Sequence, residues 1–335
     1  MIAFPNPITT VRFPKDCAAD ANAAMDVLFS LFADHYPAQI GEDEHEWFFR
    51  LSWPVDPSWY VDPQLTAQAD RLFGCSLADL PLMSEDRSKN DVAFIFSMFH
   101  SRALLAPALA RQRLGVTHFS HIVHVDDHED MMAPLLEARG RTLFDPISRV
   151  EIDLSATESI MAAIDRGVIH KGSFLASYVL AHSPGSIIHV CDRFSDRDHW
   201  LAPRHTVKRL GHAELPITTV EFTEHADSSL WHFRETSIFP RELSNVESVW
   251  LDVDLDEFCN RFDGDSNRRD MHTTDAERSI MSRRIDNFLI GLMAASWKNR
   301  VRAVSVAASP AFFPSEYWNN TIPKICEGIA TALGI

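Results

Sequence analysis

Three short stretches of the chain hold side chains of the kind that bind hard cations. The first ends Phe96-Ser97-Met98-Phe99-His100. The second is His124-Val125-Asp126-Asp127-His128-Glu129-Asp130, and the third is Leu251-Asp252-Val253-Asp254-Leu255-Asp256. Asp126, His128 and Asp130 alternate, as do Asp252 and Asp254. In extended backbone alternate residues share a face, so each set can aim carboxylate and imidazole groups at one point. Gathering five or more carboxylates is very costly without a cation, because like charges a few ångströms apart cannot all ionise. A pair of divalent ions removes that cost. A carboxylate-rich site with two imidazoles suits Mn²⁺ better than Fe, Co or Zn. Two ions sharing a water would lower its pKa and generate hydroxide near neutral pH. A single D-x-D or H-x-D is commonly a solvated loop edge. Two alternating sets, each directly after an apolar run, make a metal site the expected reading.

Each set needs a strand to end on. Short apolar runs lie at 92–99, 118–125, 186–191, 217–222, 246–253 and 301–306. Several are apolar on both alternating faces, as in buried parallel strands. Amphipathic stretches separate them at 102–114, 155–165 and 274–299. Ser155 with Glu158, and Thr274 with Glu277, stand at capping-box spacing. Ile280, Met281, Ile285, Phe288, Leu289, Leu292 and Met293 form one apolar stripe. This alternation implies an α/β fold with a mainly parallel sheet between helices, whose ligands bind outside the carboxyl ends of the strands. The polar loop 262–274 follows the D-x-D directly and is either plain solvated loop or a lid over the site. Residues 1–90 differ in character, with Glu42-Asp43-Glu44-His45-Glu46-Trp47-Phe48-Phe49, Trp53-Pro54 and Trp59-Tyr60. They are expected to form an extension packing its aromatics on one main domain at 91–335, with peptide docking as the sharper alternative.

Composition narrows the partners. The 335 residues carry a formal charge of −16 and 16 histidines. That acidity argues against nucleic acid and anionic membranes as partners and favours a cationic one. Cys17, Cys75, Cys191, Cys259 and Cys326 are dispersed and form no C-x-x-C pair, so no disulfide framework or thiolate zinc site is expected. No signal peptide and no membrane span is expected, which leaves a cytoplasmic location.

At this point the motifs resemble those of the ureohydrolases, the arginases and agmatinases, in their D-x-H-x-D and later D-x-D. The finer resemblance is to a divergent arginase-like family that includes the peptide arginases of ribosomal peptide natural-product biosynthesis. His100, then Asp126/His128/Asp130, then Gly172-Ser173-Phe174-Leu175 before Ile187-Ile188-His189-Val190 follow that family's order. Asp252-Val253-Asp254-Leu255-Asp256-Glu257-Phe258 and Ser309-Pro310-Ala311-Phe312-Phe313-Pro314 continue it, over roughly 91–315. The resemblance implies a three-layer α/β/α arginase-like fold with a mainly parallel central sheet. It implies two Mn²⁺ ions held by His100, Asp126, His128, Asp130, Asp252 and Asp254, with Asp126 and Asp252 bridging. It further implies hydrolysis of a guanidinium to urea and an amine, with Asp130 as general acid and base. The substrate would be an arginine-containing precursor peptide, whose arginines become ornithine.

The resemblance has gaps. Free-arginine arginases grip the guanidinium with a glutamate near the position of Ala307, and Glu316 is the nearest downstream acid. Ser173 stands for the family's Asn, and Glu257-Phe258 for its Phe pair. His121 and His124 are expected to pack or to support the ligands, and His182 and His189 to pack. His170 is either a proton shuttle or the end of a helix. Two other functional classes fit parts of the sequence. One is an iron- and oxoglutarate-dependent oxygenase using His124-Val125-Asp126 with His189 or His205. The other is a non-catalytic arginase-like scaffold that binds peptide.

Overall fold

The computed structural model describes residues 9–32, 34–56, 60–191, 197–224, 230–234, 239–261 and 278–335. In chain order these form β1 (Thr9–Pro14), α1 (Ala21–Leu31), β2 (Tyr36–Glu42), β3 (Glu46–Ser52), α2 (Leu65–Phe73), β4 (Ser84–Asp86) and β5 (Ala93–Ser97). Then come α3 (Leu105–Leu114), β6 (His121–Val125), β7 (Glu137–Arg139), β8 (Thr142–Phe144), β9 (Glu151–Ile152), α4 (Thr157–Asp165), α5 (Phe174–His182) and β10 (Ser186–Val190). The chain continues with β11 (Arg197–Leu210), β12 (Ala213–Thr223), β13 (Leu230–Arg234), β14 (Val249–Asp254), α6 (Arg278–Ala294), β15 (Val301–Ala307) and α7 (Trp318–Leu333).

Nine strands make the central sheet, in the order β12-β11-β13-β10-β6-β14-β15-β5-β4. The six from β13 to β5 run parallel. The β11–β12 hairpin closes one edge and β4 the other, both antiparallel. Every residue of β5 and of β14 is buried, which is what near-continuous apolar strands covered on both faces require. The chain is thus an α/β protein with a large, mostly parallel sheet. The run at 217–222 is a correction to the parallel reading, since it lies in the antiparallel hairpin. From Thr218 its burial alternates, with Thr218 and Val220 inside and Thr219 and Glu221 outward.

The direction of chain travel places the site. From β6 the chain moves outward through β10 to β13, then returns to β14 on the other side of β6 and moves away through β15. The order therefore reverses between β6 and β14, the switch point at whose carboxyl ends ligands bind in folds of this kind. Their parallel register sets Asp252 beside His124 and Val253 beside Val125. The two acidic motifs thereby leave the sheet side by side.

Two helix details depart from expectation. Asp153 accepts from both the backbone N–H (2.8 Å) and the hydroxyl (2.6 Å) of Ser155, so Ser155 caps nothing and α4 begins at Thr157. In α6, Met281, Ile285, Phe288 and Leu292 are buried, but Met293 is 46% exposed and the helix stops at Ala294. The box of Thr274 and Glu277, and the loop 262–274, lie outside the described residues.

The first 52 residues contribute a three-stranded antiparallel sheet, β1-β3-β2. Trp47, Phe49 and Leu51 alternate inward, so the aromatic patch is strand core at those positions. Trp53 and Tyr60 pack edge-on against Phe99, at 5.7 and 6.4 Å, directly before His100. The edge strand β4 also comes from before residue 91. No helix among the described residues is long and apolar enough to cross a membrane.

Candidate metal centre

The centre lies where β5, β6 and β14 end. His100 opens the short 3-10 turn His100–Leu104 after β5, and its ring rests 4.5 Å from that of Phe174. Four carboxylates surround that imidazole. Nδ1 is 3.0 Å from Asp126 Oδ2, 2.9 Å from Asp130 Oδ2 and 2.9 Å from Asp254 Oδ2. Nε2 is 3.1 Å from both oxygens of Asp252. His128 Nδ1 is 3.5 Å from Asp126 Oδ1 and 3.0 Å from Asp256 Oδ2. Asp126, Asp130, Asp252, Asp254 and Asp256 are all buried, while the His128 side chain is 29% exposed. All six residues expected as ligands are thus brought together.

Supporting contacts hold the acids in place. His124, fully buried, has Nδ1 2.8 Å from Asp252 Oδ2 and Nε2 3.1 Å from the His128 carbonyl, so it ties one motif to the other. The Ser305 hydroxyl donates to Asp252 and the Ser309 hydroxyl to Asp254. His189 Nε2 lies 2.8 Å from the Asp126 carbonyl. Asp130, Ser309 and Ala311 have φ of +51°, +44° and +75°, a region that costs non-glycine residues energy and clusters at functional sites.

Charge is distributed unevenly. Burial disfavours the charged form of His100, but Asp252 and Asp254 outweigh it and hold the imidazole well above its ordinary pKa. Burial and then the charge of Asp126 push the Asp130 carboxyl up to about 7. Burial acts the same way on Asp126 and Asp252. There the imidazoles win, led by His100, leaving Asp126 well below the usual range and Asp252 at about 2. Burial and then Asp254 hold Asp256 well above the usual range.

The donor set fits a cation. One N–H serves one acceptor well, yet three carboxylate oxygens crowd His100 Nδ1. Asp126 Oδ2 and Asp130 Oδ2 are buried without a hydrogen bond among the described residues. Neighbouring donors about 2.1 Å from a six-coordinate ion stand about 3.0 Å apart, the spacing seen here. His100/His124/Asp252, His100/Asp126/Asp130 and Asp126/His128/Asp256 each offer three donor atoms within 4.8 Å of one another. These buried groups could hold a metal ion.

Above the centre opens a cleft of about 660 Å³, with His100, His128, Asp130, Asp254 and Asp256 in its lining. Met131, Met132, Phe222 and Phe312 give it apolar wall, Glu129 and Glu221 acid, and Lys171 one cation, 4.5 Å from the Phe312 ring centroid. The remaining expected residues fall elsewhere. His170 is buried, directly before Lys171 and Gly172 of the cleft lining. Glu316 pairs with Arg261 at 2.8 Å, accepts from Gln64 at 2.9 Å, and does not line the cleft. His205 is exposed in the hairpin, 3.0 Å from the Thr218 hydroxyl, so it does not join His124 and Asp126 in an oxygenase triad. His121 is partly buried beside Ser120, and His182 packs on Tyr178 at 4.7 Å.

The sequence motifs include Asp256 and Ser309 without giving either a role, and nothing in the sequence marks Ser305. Asp256 extends the alternation of Asp252 and Asp254, so its signal was present. The two serines sit on or after β15, far along the chain from the acids they support. No protein-family model matches the chain, and no curated protein matches it.

Proposed function

We propose that the chain is a binuclear metal-dependent hydrolase of guanidinium groups: a peptide arginase that converts arginine residues of a precursor peptide to ornithine and releases urea. The arginase-like fold, the family and two Mn²⁺ ions are parts of the same proposal. The observation that carries it is the meeting of His100, Asp126, His128, Asp130, Asp252 and Asp254 at the base of an open cleft, which His100, His128, Asp130 and Asp254 line. Asp126 presents Oδ2 to His100 and Oδ1 to His128, so one carboxylate lies toward both imidazoles that would hold the ions. Five buried carboxylates outnumber the three imidazoles beside them, and a protonated imidazole cannot ligate. Two divalent ions offset four charges without that conflict.

When bound, two Mn²⁺ ions would lower the pKa of a shared water and supply hydroxide near neutral pH. His100, His128 and the four aspartates Asp126, Asp130, Asp252 and Asp254 would hold them. Asp130 Oδ2 takes a proton from the attacking water and delivers it to the departing amine nitrogen, the task of a general acid and base. The methionines and phenylalanines of the cleft suit the aliphatic stem of an arginine, and Glu129, Glu221 and the net charge of −16 suit its cation.

The test is mass spectrometry of an arginine-containing precursor peptide after incubation with the Mn²⁺-loaded protein. The expected change is a loss of about 42 Da per processed arginine, the mass of CH₂N₂ carried into urea. Asp126→Ala and Asp252→Ala are each expected to lose metal and turnover together. A fully active Asp126→Ala protein sinks the ligand assignment, and a gain of one oxygen makes the chain an oxygenase. Bound metal with no mass change in the true peptide makes it a scaffold.

A further inference from the structure

Asp256 is the third acid of Asp252-Val253-Asp254-Leu255-Asp256, but it stands beyond β14, in the 3-10 turn Leu255–Glu257. The turn brings its carboxylate to the floor of the cleft. There Oδ2 is 3.0 Å from His128 Nδ1, the same atom that Asp126 Oδ1 approaches at 3.5 Å. One backbone bond reaches the carboxylate and a second fixes its residue in the turn. The Asp127 N–H donates to Asp256 Oδ1 at 3.4 Å, and the Asp256 N–H donates to Asp254 Oδ1 at 3.2 Å. An ionised carboxylate buried between Asp126 and Asp254 is unfavourable unless a cation shares the space.

We propose that Asp256 is a direct ligand of the divalent ion held by Asp126 and His128, a seventh protein side chain in the centre. The proposal rests on the binuclear reading above. His128 Nδ1 can give its proton to one carboxylate at most. If that nitrogen binds an ion, it has no proton to give, and Asp256 Oδ2 then stands from it at the spacing of neighbouring donors, about 3.0 Å. Asp126, His128 and Asp256 offer such a set, with donor atoms within 4.8 Å of one another. The added oxygen makes the two ion positions unequal and favours an oxygen-seeking ion beside His128.

The competing role is positional: Asp256 only orients His128. Removing such an outer partner typically weakens metal binding by about 10–100-fold, so affinity alone does not separate the two roles. The test therefore combines metal counting with a spectroscopic signature in the full-length protein. Mn²⁺ titration of Asp256→Asn, which keeps the side-chain volume, is expected to leave one ion at wild-type affinity and weaken the other more than about 100-fold. Asp256→Cys loaded with Co²⁺ is expected to show a thiolate-to-cobalt charge-transfer band in the near ultraviolet that the Co²⁺-loaded wild type lacks. The absence of that band from Asp256→Cys overturns the proposal, as does an Asp256→Asn protein that holds both ions within about tenfold of wild type. Wild-type protein that binds both ions yet releases no urea defeats the hydrolase reading, while the band still decides the role of Asp256.

Discussion

At the scale of single residues, the centre depends on side chains that never reach the cleft. Trp250, fully buried, donates from Nε1 to the Ser305 hydroxyl at 2.8 Å, and Ser305 donates in turn to Asp252. One hydroxyl thus serves as acceptor for an indole and donor for a carboxylate expected to bridge two ions. Ser305→Ala leaves the Trp250 N–H without its acceptor in the interior and removes one donor from Asp252, which keeps His100 and His124. The expected cost is about 1–3 kcal/mol in thermal or urea denaturation. The expected loss in Mn²⁺ affinity is about 10–100-fold by titration. Unchanged affinity would show that Asp252 is oriented by His100 and His124 alone. The acids of this network were legible because alternation after an apolar run is a local pattern. Ser305 was not, because a serine in a buried strand has no local signature of what it will face.

Secondary-structure elements decide which motifs meet. Each of the six apolar runs became a strand, since burial on both faces writes itself into composition. Strand direction and neighbour order were not readable for the hairpin. There β12 pairs with β11 through a two-residue turn at Gly211-His212. Gly211 sits at φ +60°, and its α-carbon faces the Asp16 carbonyl so closely that a β-carbon would collide with it. The hairpin tip is in this way packed against the N-terminal segment, and Lys208 adds a bond to the Ser30 carbonyl at 2.9 Å. Gly211→Val is expected to destabilise the protein by at least about 1–3 kcal/mol, from backbone strain with the collision added. A melting temperature equal to wild type would mean that the tip moves freely from Asp16. The N-terminal sheet was not foreseen as a sheet, because its alternation is interrupted by Pro37 and Gly41 and by the charged turn at Asp43–Glu46.

For the whole molecule, the concentration of buried acid ties stability to pH and metal. In the metal-free protein His100 and His124 are held above the ordinary histidine range, and Asp130 (about 7) and Asp256 above that of a carboxyl. A group whose folded pKa is raised binds its proton more tightly when folded. Its contribution is lost as pH rises through the folded value. Burial lowers His35 and His182 to about 4 and His189 to about 3, but these act only below the unfolded histidine pKa and add no slope above it. Buried Cys326, held up to about 12, adds the same downward sign once free thiols begin to ionise. Between about pH 7 and 9 the EDTA-treated protein is therefore expected to lose stability steadily. Ion binding, which needs deprotonated ligands, strengthens over the same range. Melting curves with EDTA and with Mn²⁺ should diverge as pH rises, and parallel curves would contradict a metal centre at these residues.

The sequence by itself determined the α/β class, the apolar strands and the acidic motifs at their ends, all of which follow from hydrophobic periodicity and neighbouring residue types. Only the tertiary structure decided that β14 returns beside β6 after β13, which sets Asp252 next to His124 and closes a ring of carboxylates around His100. It alone turned Asp256 toward His128 and left Glu316 on Arg261. The reason is physical. Local patterns report which face of an element is buried, whereas contacts between residues far apart in the chain depend on strand order and register. Those are set by the packing of the entire sheet.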